Sequence, residues 1–288
     1  MTKTEVPPYA PEWLELREGA DAAARASELL APLRRHLAAL PRWEPGAGLV
    51  IRDLGCGTGS MGRWLAPRLP GPQRWVLHDR DPGLLAHAVA RMPAAAFDGS
   101  RVTVTARHGD IARLSTDDLS GTALVTASAL LDVLTPDEVD GLVAACAGAG
   151  CPALLALSVV GRVELTPADP LDAEITEAFN AHQRRSDHTR RLLGPDAVAV
   201  ASDAFARHGM DVQVHSSHWR LGADQSALTA EWLRGWVDAA REQRPDLDAS
   251  ASAYLQRRLA ACDAGGLRVV VHHSDLLALP RRTPGGPR

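Results

Sequence analysis

The stretch LVIRDLGCGTGSMG, Leu49 to Gly62, joins an apolar run to a loop containing four glycines. A short apolar run that ends in glycines predicts a buried strand turning sharply into a helix. Glycine is needed where the backbone turns left-handed or where a ligand approaches it closely. Two patterns overlap here, Gly55-x-Gly57-x-Gly59 and Gly57-x-Gly59-x-x-Gly62. The second spells the dinucleotide fingerprint, in which N–H groups at a helix N-terminus hold a pyrophosphate. Asp53 stands two residues before Gly55 and argues against phosphate. A carboxylate at the strand tip repels a pyrophosphate and suits a ligand that brings an ammonium.

Outward from this loop, strand and helix signals alternate. The strands are RWVLHD (74–79), RVTVTARHGD (101–110), ALVTASALLD (123–132) and CPALLALSV (151–159), with helix-length segments between them. That alternation predicts βαβ units and a mostly parallel, doubly wound sheet. Thr135 as N-cap, Pro136 after it and Glu138 three residues on open a helix over 135–150. Residues 13–40 read as helical, with Leu29, Leu30, Leu33, Leu37 and Leu40 on one stripe, Asp21 as N-cap and Pro32 as a kink or second start. Beyond 160, MDVQVHSSHWRLG (210–222) reads as one strand, so that His215 and Trp219 share a face, and LRVVVHHSDLL (267–277) reads as the last. The expected organisation is an N-terminal helical lid over 1–45 and a sheet domain over 46–280. Helical insertions fall at about 165–194 and 224–263, and a flexible tail at 281–288.

Composition narrows the partners. A formal net charge of −4 offers no basic field to nucleic acid or to an anionic membrane. No apolar run approaches ~18 residues, so no membrane span is expected. Cys56, Cys146, Cys151 and Cys262 lack zinc-site spacing, and reduced thiols in the cytoplasm are the simplest expectation. The histidines and acids show no metal-ligating pattern, so no metal is expected.

Two more acids refine the ligand. Asp79 ends the second strand, where an acid accepts the hydroxyls of a ribose. The third strand ends in HGDI, where Asp110 can accept from an adenine amino group while Ile111 lies against the ring. An ammonium, a ribose and an adenine without phosphate describe S-adenosylmethionine.

The segments DLGCGTGSMG, VLHDRDP, HGDI and LVTASALLDVLT, in that order, resemble the successive motifs of class I S-adenosylmethionine-dependent methyltransferases across about residues 49–160. The resemblance implies an α/β, Rossmann-like fold whose seven-stranded, mostly parallel sheet ends in an antiparallel strand. It implies that Asp53, Gly55, Gly57 and Gly59, with Cys56 in the same loop, meet the methionine portion. Asp79, with Arg80 beside it, would meet the ribose, and Asp110 with Ile111 the adenine. Ser128 would lie near the sulfonium.

Methyl transfer needs an aligned nucleophile and, for some acceptors, a base. Asp132, His182 and His188 are the candidates, lying beyond the strand ends where ligands gather in open sheets. The arginine pairs 184–185 and 190–191 would select an anionic acceptor if they face the cleft, and are a solvated run if they face water. Trp232 and Trp236 are expected to pack the inserted helices. No Asn-Pro-Pro-Tyr motif follows the fourth strand, so nucleobase amino groups are not indicated. The reading is therefore an enzyme that methylates oxygen or nitrogen, rather than carbon, of a small metabolite, with a homodimer compatible. The alternatives are a nicotinamide-dependent oxidoreductase and a non-catalytic S-adenosylmethionine-binding subunit.

Overall fold

The computed structural model describes residues 10–40, 48–111, 114–187 and 190–281. The chain starts with α1 (Pro11–Ala24) and α2 (Leu30–Ala38), then enters alternation with β1 (Leu49–Leu54), α3 (Ser60–Leu65), β2 (Gln73–Asp79), α4 (Pro82–Arg91) and β3 (Val102–His108). β4 (Leu124–Ser128), α5 (Pro136–Ala149) and β5 (Ala153–Thr166) follow. Next come α6 (Asp172–Gln183), a two-residue hairpin of β6 (Ser186–Asp187) and β7 (Arg190–Arg191), and α7 (Ala197–Arg207). β8 (Met210–Ser216), β9 (Trp219–Leu221), α8 (Ser226–Gln243), α9 (Asp248–Asp263) and β10 (Arg268–Pro280) complete it.

The main sheet runs β3-β2-β1-β4-β5-β10-β8, and β9 also pairs with β10. β3, β2, β1, β4 and β5 are parallel, whereas β10 is antiparallel to β5, β8 and β9. This is the expected topology, with the last strand reversed. Strand order turns back between β1 and β4, so a crevice opens over their carboxyl ends, where open α/β sheets bind ligands.

Each face of the sheet is buried by helices. On one, Leu33 and Leu37 of α2, Met61 and Leu65 of α3 and Leu85 of α4 cover Ile51, Trp75 and Leu77. On the other, Val139, Leu142 and Val143 of α5 and Ala201 and Phe205 of α7 cover Leu54, Val125 and Leu155. A third core gathers where α6, α8 and α9 pack on the far ends of β5 and β10, with Trp236 and Tyr254 fully buried. Trp232 and Trp236 stack with centroids 4.9 Å apart, and Trp236 meets Tyr254 at 6.2 Å, so this pair packs α8 against α9. α5 begins with the expected box: Thr135 Oγ1 accepts from Glu138 N at 3.2 Å, and Glu138 Oε2 accepts from Thr135 N at 2.8 Å.

Two sequence expectations need correction. Asp21 is not an N-cap: Pro11 opens α1, and Asp21 lies buried in its last turns. Its carboxylate accepts from Arg17 Nε at 3.0 Å and from the Trp219 indole N–H at 2.9 Å. That long-range partner is why an acid tolerates the helix interior. Residues 210–222 are also not one strand. The chain breaks at Ser217, whose N–H donates to the His273 carbonyl at 2.9 Å, and restarts as β9 opposite Val269–Val271. Trp219 is buried and His215 exposed, so the two share no face. Residues 13–40 form two helices joined by a 3-10 turn at Ser27–Leu29, with Pro32 in the first turn of α2.

Candidate active site

β1 delivers Asp53 to the crevice and the glycines carry the chain away from it. Gly57 has φ +52° and Gly59 φ +87°, in left-handed backbone that other residues rarely adopt. Space is also short: a Cβ on Gly59 would lie 3.0 Å from the Ala88 side chain, and one on Gly57 would lie 3.2 Å from Leu14 of α1. Gly62 serves packing, because a Cβ there would come within 2.5 Å of Met92 Sδ. The last glycine of the dinucleotide spelling therefore seats α3 against the residue that ends α4.

Asp53 has no exposed surface. Its Oδ1 accepts from the Thr126 hydroxyl of β4 at 2.7 Å, and its Oδ2 has no hydrogen-bond partner among the described residues. Burial pushes this carboxyl up from 3.8 to about 7, against the pull of the Thr126 hydrogen bond and of Arg25. An unpaired buried acceptor is costly, so a cationic ligand group has an energetic place here.

At the tip of β2, Asp79 Oδ2 accepts from Gly57 N at 2.8 Å and Oδ1 from Asp81 N at 3.0 Å. The Gly57 N–H, which a phosphate cradle would turn to its ligand, is already given to a carboxylate. Arg80 beside it is exposed. At the tip of β3, Asp110 is exposed, and Ile111 is half-buried against the second core. Cys56 is buried, with its thiol donating to the Gly57 carbonyl, and burial pushes that thiol up, away from any nucleophilic use. Ser128 ends β4 and is followed by Ala129 at φ +52°, a left-handed residue that turns the chain at the crevice rim. On β5, Leu157 has φ +57° and its N–H donates to Asp275 of β10 at 2.7 Å, where the β5–β10 register shifts.

α1 lies over the glycine loop. Besides the Leu14 approach, Glu18 pairs with Arg63 of α3 at 2.6 Å, and Glu15 pairs with Arg91 of α4. The hydrogen bond from Arg63 holds the Glu18 carboxyl below its ordinary range. The end of α1 brings in Arg25, whose Nη2 donates to Ser60 Oγ at 3.1 Å and to Ser128 Oγ at 3.2 Å. Sequence reasoning passed over Arg25. The available signal was a lone arginine in the small-residue run Asp-Ala-Ala-Ala-Arg-Ala, which does not by itself distinguish an inward-facing guanidinium from a solvated one.

Of the three candidate bases, Asp132 stands in the turn Leu131–Val133 directly after β4. Loss of solvent raises its carboxyl above the ordinary range, opposed by Arg17 of α1. His182 lies on α6 and bonds Glu242 of α8 at 3.1 Å and Arg185 at 3.1 Å. His188 lies outside the described residues. The arginine run is tied down as well: Arg184 pairs with Asp196 at 2.6 Å, and Arg190 with Glu138 at 2.8 Å. His218 and His272 approach at 4.0 Å between ring centroids, yet no three His, Cys, Asp or Glu among the described residues are grouped to hold a metal. No helix among the described residues is long and apolar enough to cross a membrane.

A family model described as a methyltransferase domain matches residues 51–153. No curated protein matches the chain. Among solved structures, the chain is similar to an S-adenosylmethionine-dependent methyltransferase from Geobacter sulfurreducens in complex with S-adenosylhomocysteine. That likeness has 18% identity and a TM-score of 0.45 over 94% of this chain and 99% of that one. Phosphoethanolamine N-methyltransferase 2 of Haemonchus contortus gives 14% identity and a TM-score of 0.46 over 97% of this chain and 59% of that one. The cyclopropane synthase MmaA2 of Mycobacterium tuberculosis gives 14% and 0.41 over 86% and 83%. These likenesses are distant, and the weight rests on the chain's own topology, its loop and the matched segment. The segment 51–153 that matches the methyltransferase-domain model carries the glycine loop after β1 and reaches β5, in a sheet whose strand order 3-2-1-4-5 leads into a reversed last strand.

Proposed function

We propose that this protein transfers a methyl group from S-adenosylmethionine to oxygen or nitrogen of a small metabolite. The observation that carries the reading is the buried Asp53 with its unpartnered Oδ2 beside the glycine loop. An acceptor-only group held in a dry site suits an ammonium and opposes a pyrophosphate. The residues present fit the cofactor's remaining parts. Asp79 at the tip of β2 would hold the ribose and Asp110 with Ile111 the adenine, while Gly55, Gly57 and Gly59 admit the methionine portion to the backbone. Ser128 would stand near the sulfonium. When bound, S-adenosylmethionine supplies a methyl carbon already activated by its sulfonium.

The protein's own work is then to orient the acceptor, exclude water and remove a proton where the nucleophile carries one. The acceptor would lie over the carboxyl end of β4, where Ala129 after the strand and Leu157 on the adjoining part of β5 hold left-handed backbone. Backbone strain of this kind is kept where the surroundings over-determine it, as at functional rims. Asp132 is the base we favour, because it follows β4 directly and loss of solvent raises its carboxyl above the ordinary range. His182 is engaged between Glu242 and Arg185, and Arg184 and Arg190 are engaged with acids. These arginines therefore give no support to an anionic acceptor. α1, latched over the glycine loop by Glu18 and Arg63, would shield the transfer from water.

Incubation with methyl-labelled S-adenosylmethionine and a panel of hydroxyl- and amine-bearing metabolites tests the reading. It expects S-adenosylhomocysteine formed together with a labelled oxygen or nitrogen product. Asp132→Asn should lower kcat about 100- to 1,000-fold while leaving cofactor affinity within about twofold. Cofactor binding without product across the panel would favour a non-catalytic binding subunit instead.

A further inference from the structure

Arg25 is 4% exposed, and only one of its three guanidinium nitrogens is hydrogen-bonded. Nη2 is fixed by Ser60 and Ser128, whereas Nε and Nη1 have no hydrogen-bond partner among the described residues. The guanidinium lies over the Trp64 ring at 5.5 Å, which fixes its plane without using those two donors. Three carboxylates act on it, and two are committed elsewhere. Asp21 takes Arg17 and Trp219, while Asp275 takes Ala26 N at 2.8 Å and Leu157 N at 2.7 Å. The third is Asp53, with one oxygen free.

A buried cation with spare donors and a buried anion with a spare acceptor therefore act on one another. Ser60 opens α3 directly after the glycine loop, and Ser128 ends β4, so Arg25 is anchored to both walls of the methionine end. We propose that Arg25 binds the α-carboxylate of S-adenosylmethionine, opposite Asp53 at its α-ammonium, so that α1 completes a clamp for a zwitterion. The inference rests on the cofactor reading above and adds a residue outside the family-matched segment. A guanidinium suits the task because its planar fork donates to a carboxylate through two nitrogens. Burial strengthens that contact and makes each unpaired donor costly when the carboxylate is missing.

The test compares three ligands by calorimetry: S-adenosylmethionine, its decarboxylated analogue, and methylthioadenosine. The wild-type protein should bind S-adenosylmethionine about 10- to 100-fold more tightly than the decarboxylated compound. Arg25→Met should lose that same factor for S-adenosylmethionine while binding the decarboxylated compound within about threefold of wild type. Arg25→Lys should recover part of the difference, which also covers the case in which Arg25→Met fails to fold. Equal weakening of both ligands in either variant would assign Arg25 a purely structural role and overturn the proposal. Wild-type protein that binds both ligands equally would overturn it too. Failure of wild type to bind any of the three would instead bring down the cofactor reading itself, which keeps the two failures distinct.

Discussion

The two halves of the sheet are built by different means. Across β3-β2-β1-β4 the candidate groups sit on strand tips and are fixed by short hydrogen bonds to the neighbouring strand or loop. Gly57 N–H reaches Asp79, Thr126 reaches Asp53, and glycines supply the left-handed turns. Across β5-β10-β8 the geometry is set by side chains meeting over long stretches of chain. Asp172 receives Tyr254 Oη at 2.6 Å and pairs with Arg258, while Arg190 pairs with Glu138. The first half uses local backbone chemistry, which tolerates few residue types. The second uses ion pairs and packed aromatics that join residues far apart in the chain.

Substitutions should separate the halves. The largest effect is expected from Gly59→Val, which places a β-branched residue at φ +87° with a Cβ 3.0 Å from Ala88. Cofactor affinity should fall more than about 100-fold in calorimetry, since a displacement of about an ångström in a site can cost that much. Arg258→Ala acts on the other half. It removes a 4%-exposed cation that pairs with Asp172 and donates to the Pro167 carbonyl at 2.6 Å. Denaturant unfolding should show a loss of about 3 kcal/mol, with cofactor affinity unchanged.

The next effect is a pH dependence centred on Asp53. Thr126, Arg25, Asp79 and Arg63 surround its carboxyl, which burial raises to about 7. A folded value above the ordinary 3.8 favours folding of the free protein below pH 3.8, and this contribution is lost as pH rises through about 7. An ammonium beside Asp53 favours the ionised form, so binding below pH 7 must expel a proton. Affinity for S-adenosylmethionine should rise about tenfold per unit up to pH 7. It should level off above that, until the ligand's own amine titrates at roughly 7.7–8.0. Calorimetry at pH 6 in buffers of different ionisation enthalpy should detect the released proton, and Asp53→Asn should abolish it. The smallest effect belongs to Arg190→Ala. Arg190 is half-buried beside Glu138 and its guanidinium still meets water, so chemical denaturation should register a loss below about 1 kcal/mol.

The same contrast explains what the sequence disclosed. The glycine loop, Asp79 at its strand tip and the Thr135–Glu138 box were legible because their partners lie within a few residues or at the neighbouring strand tip. The reversed last strand followed from the family resemblance and holds in β10. Asp21 was misread because the indole that stabilises it lies 198 residues away. The break at Ser217 coincides with a change of phase in the apolar positions, from Met210, Val212 and Val214 to Trp219 and Leu221, which a reading of 210–222 as one strand overlooks and the pairing with β10 explains. Asp275 offered a fainter signal. It lies among Val269, Val271, His273 and Leu277, the positions that alternation sends into the protein, and an acid there implies donors waiting for it. The charged residues over 182–190 were undecided in the sequence because their partners lie far along the chain, His182 bonding Glu242 and Arg190 pairing with Glu138.

The central claim is that Asp53 converts a glycine loop of phosphate-cradle spelling into a holder for a zwitterionic methionine tail. Calorimetric titration of the wild-type protein and Asp53→Asn with S-adenosylhomocysteine and with NADH tests it most directly. The account predicts that the wild type binds S-adenosylhomocysteine but not NADH, and that Asp53→Asn weakens S-adenosylhomocysteine at least about tenfold. Binding of NADH by the wild type, or undiminished S-adenosylhomocysteine affinity in Asp53→Asn, would contradict it.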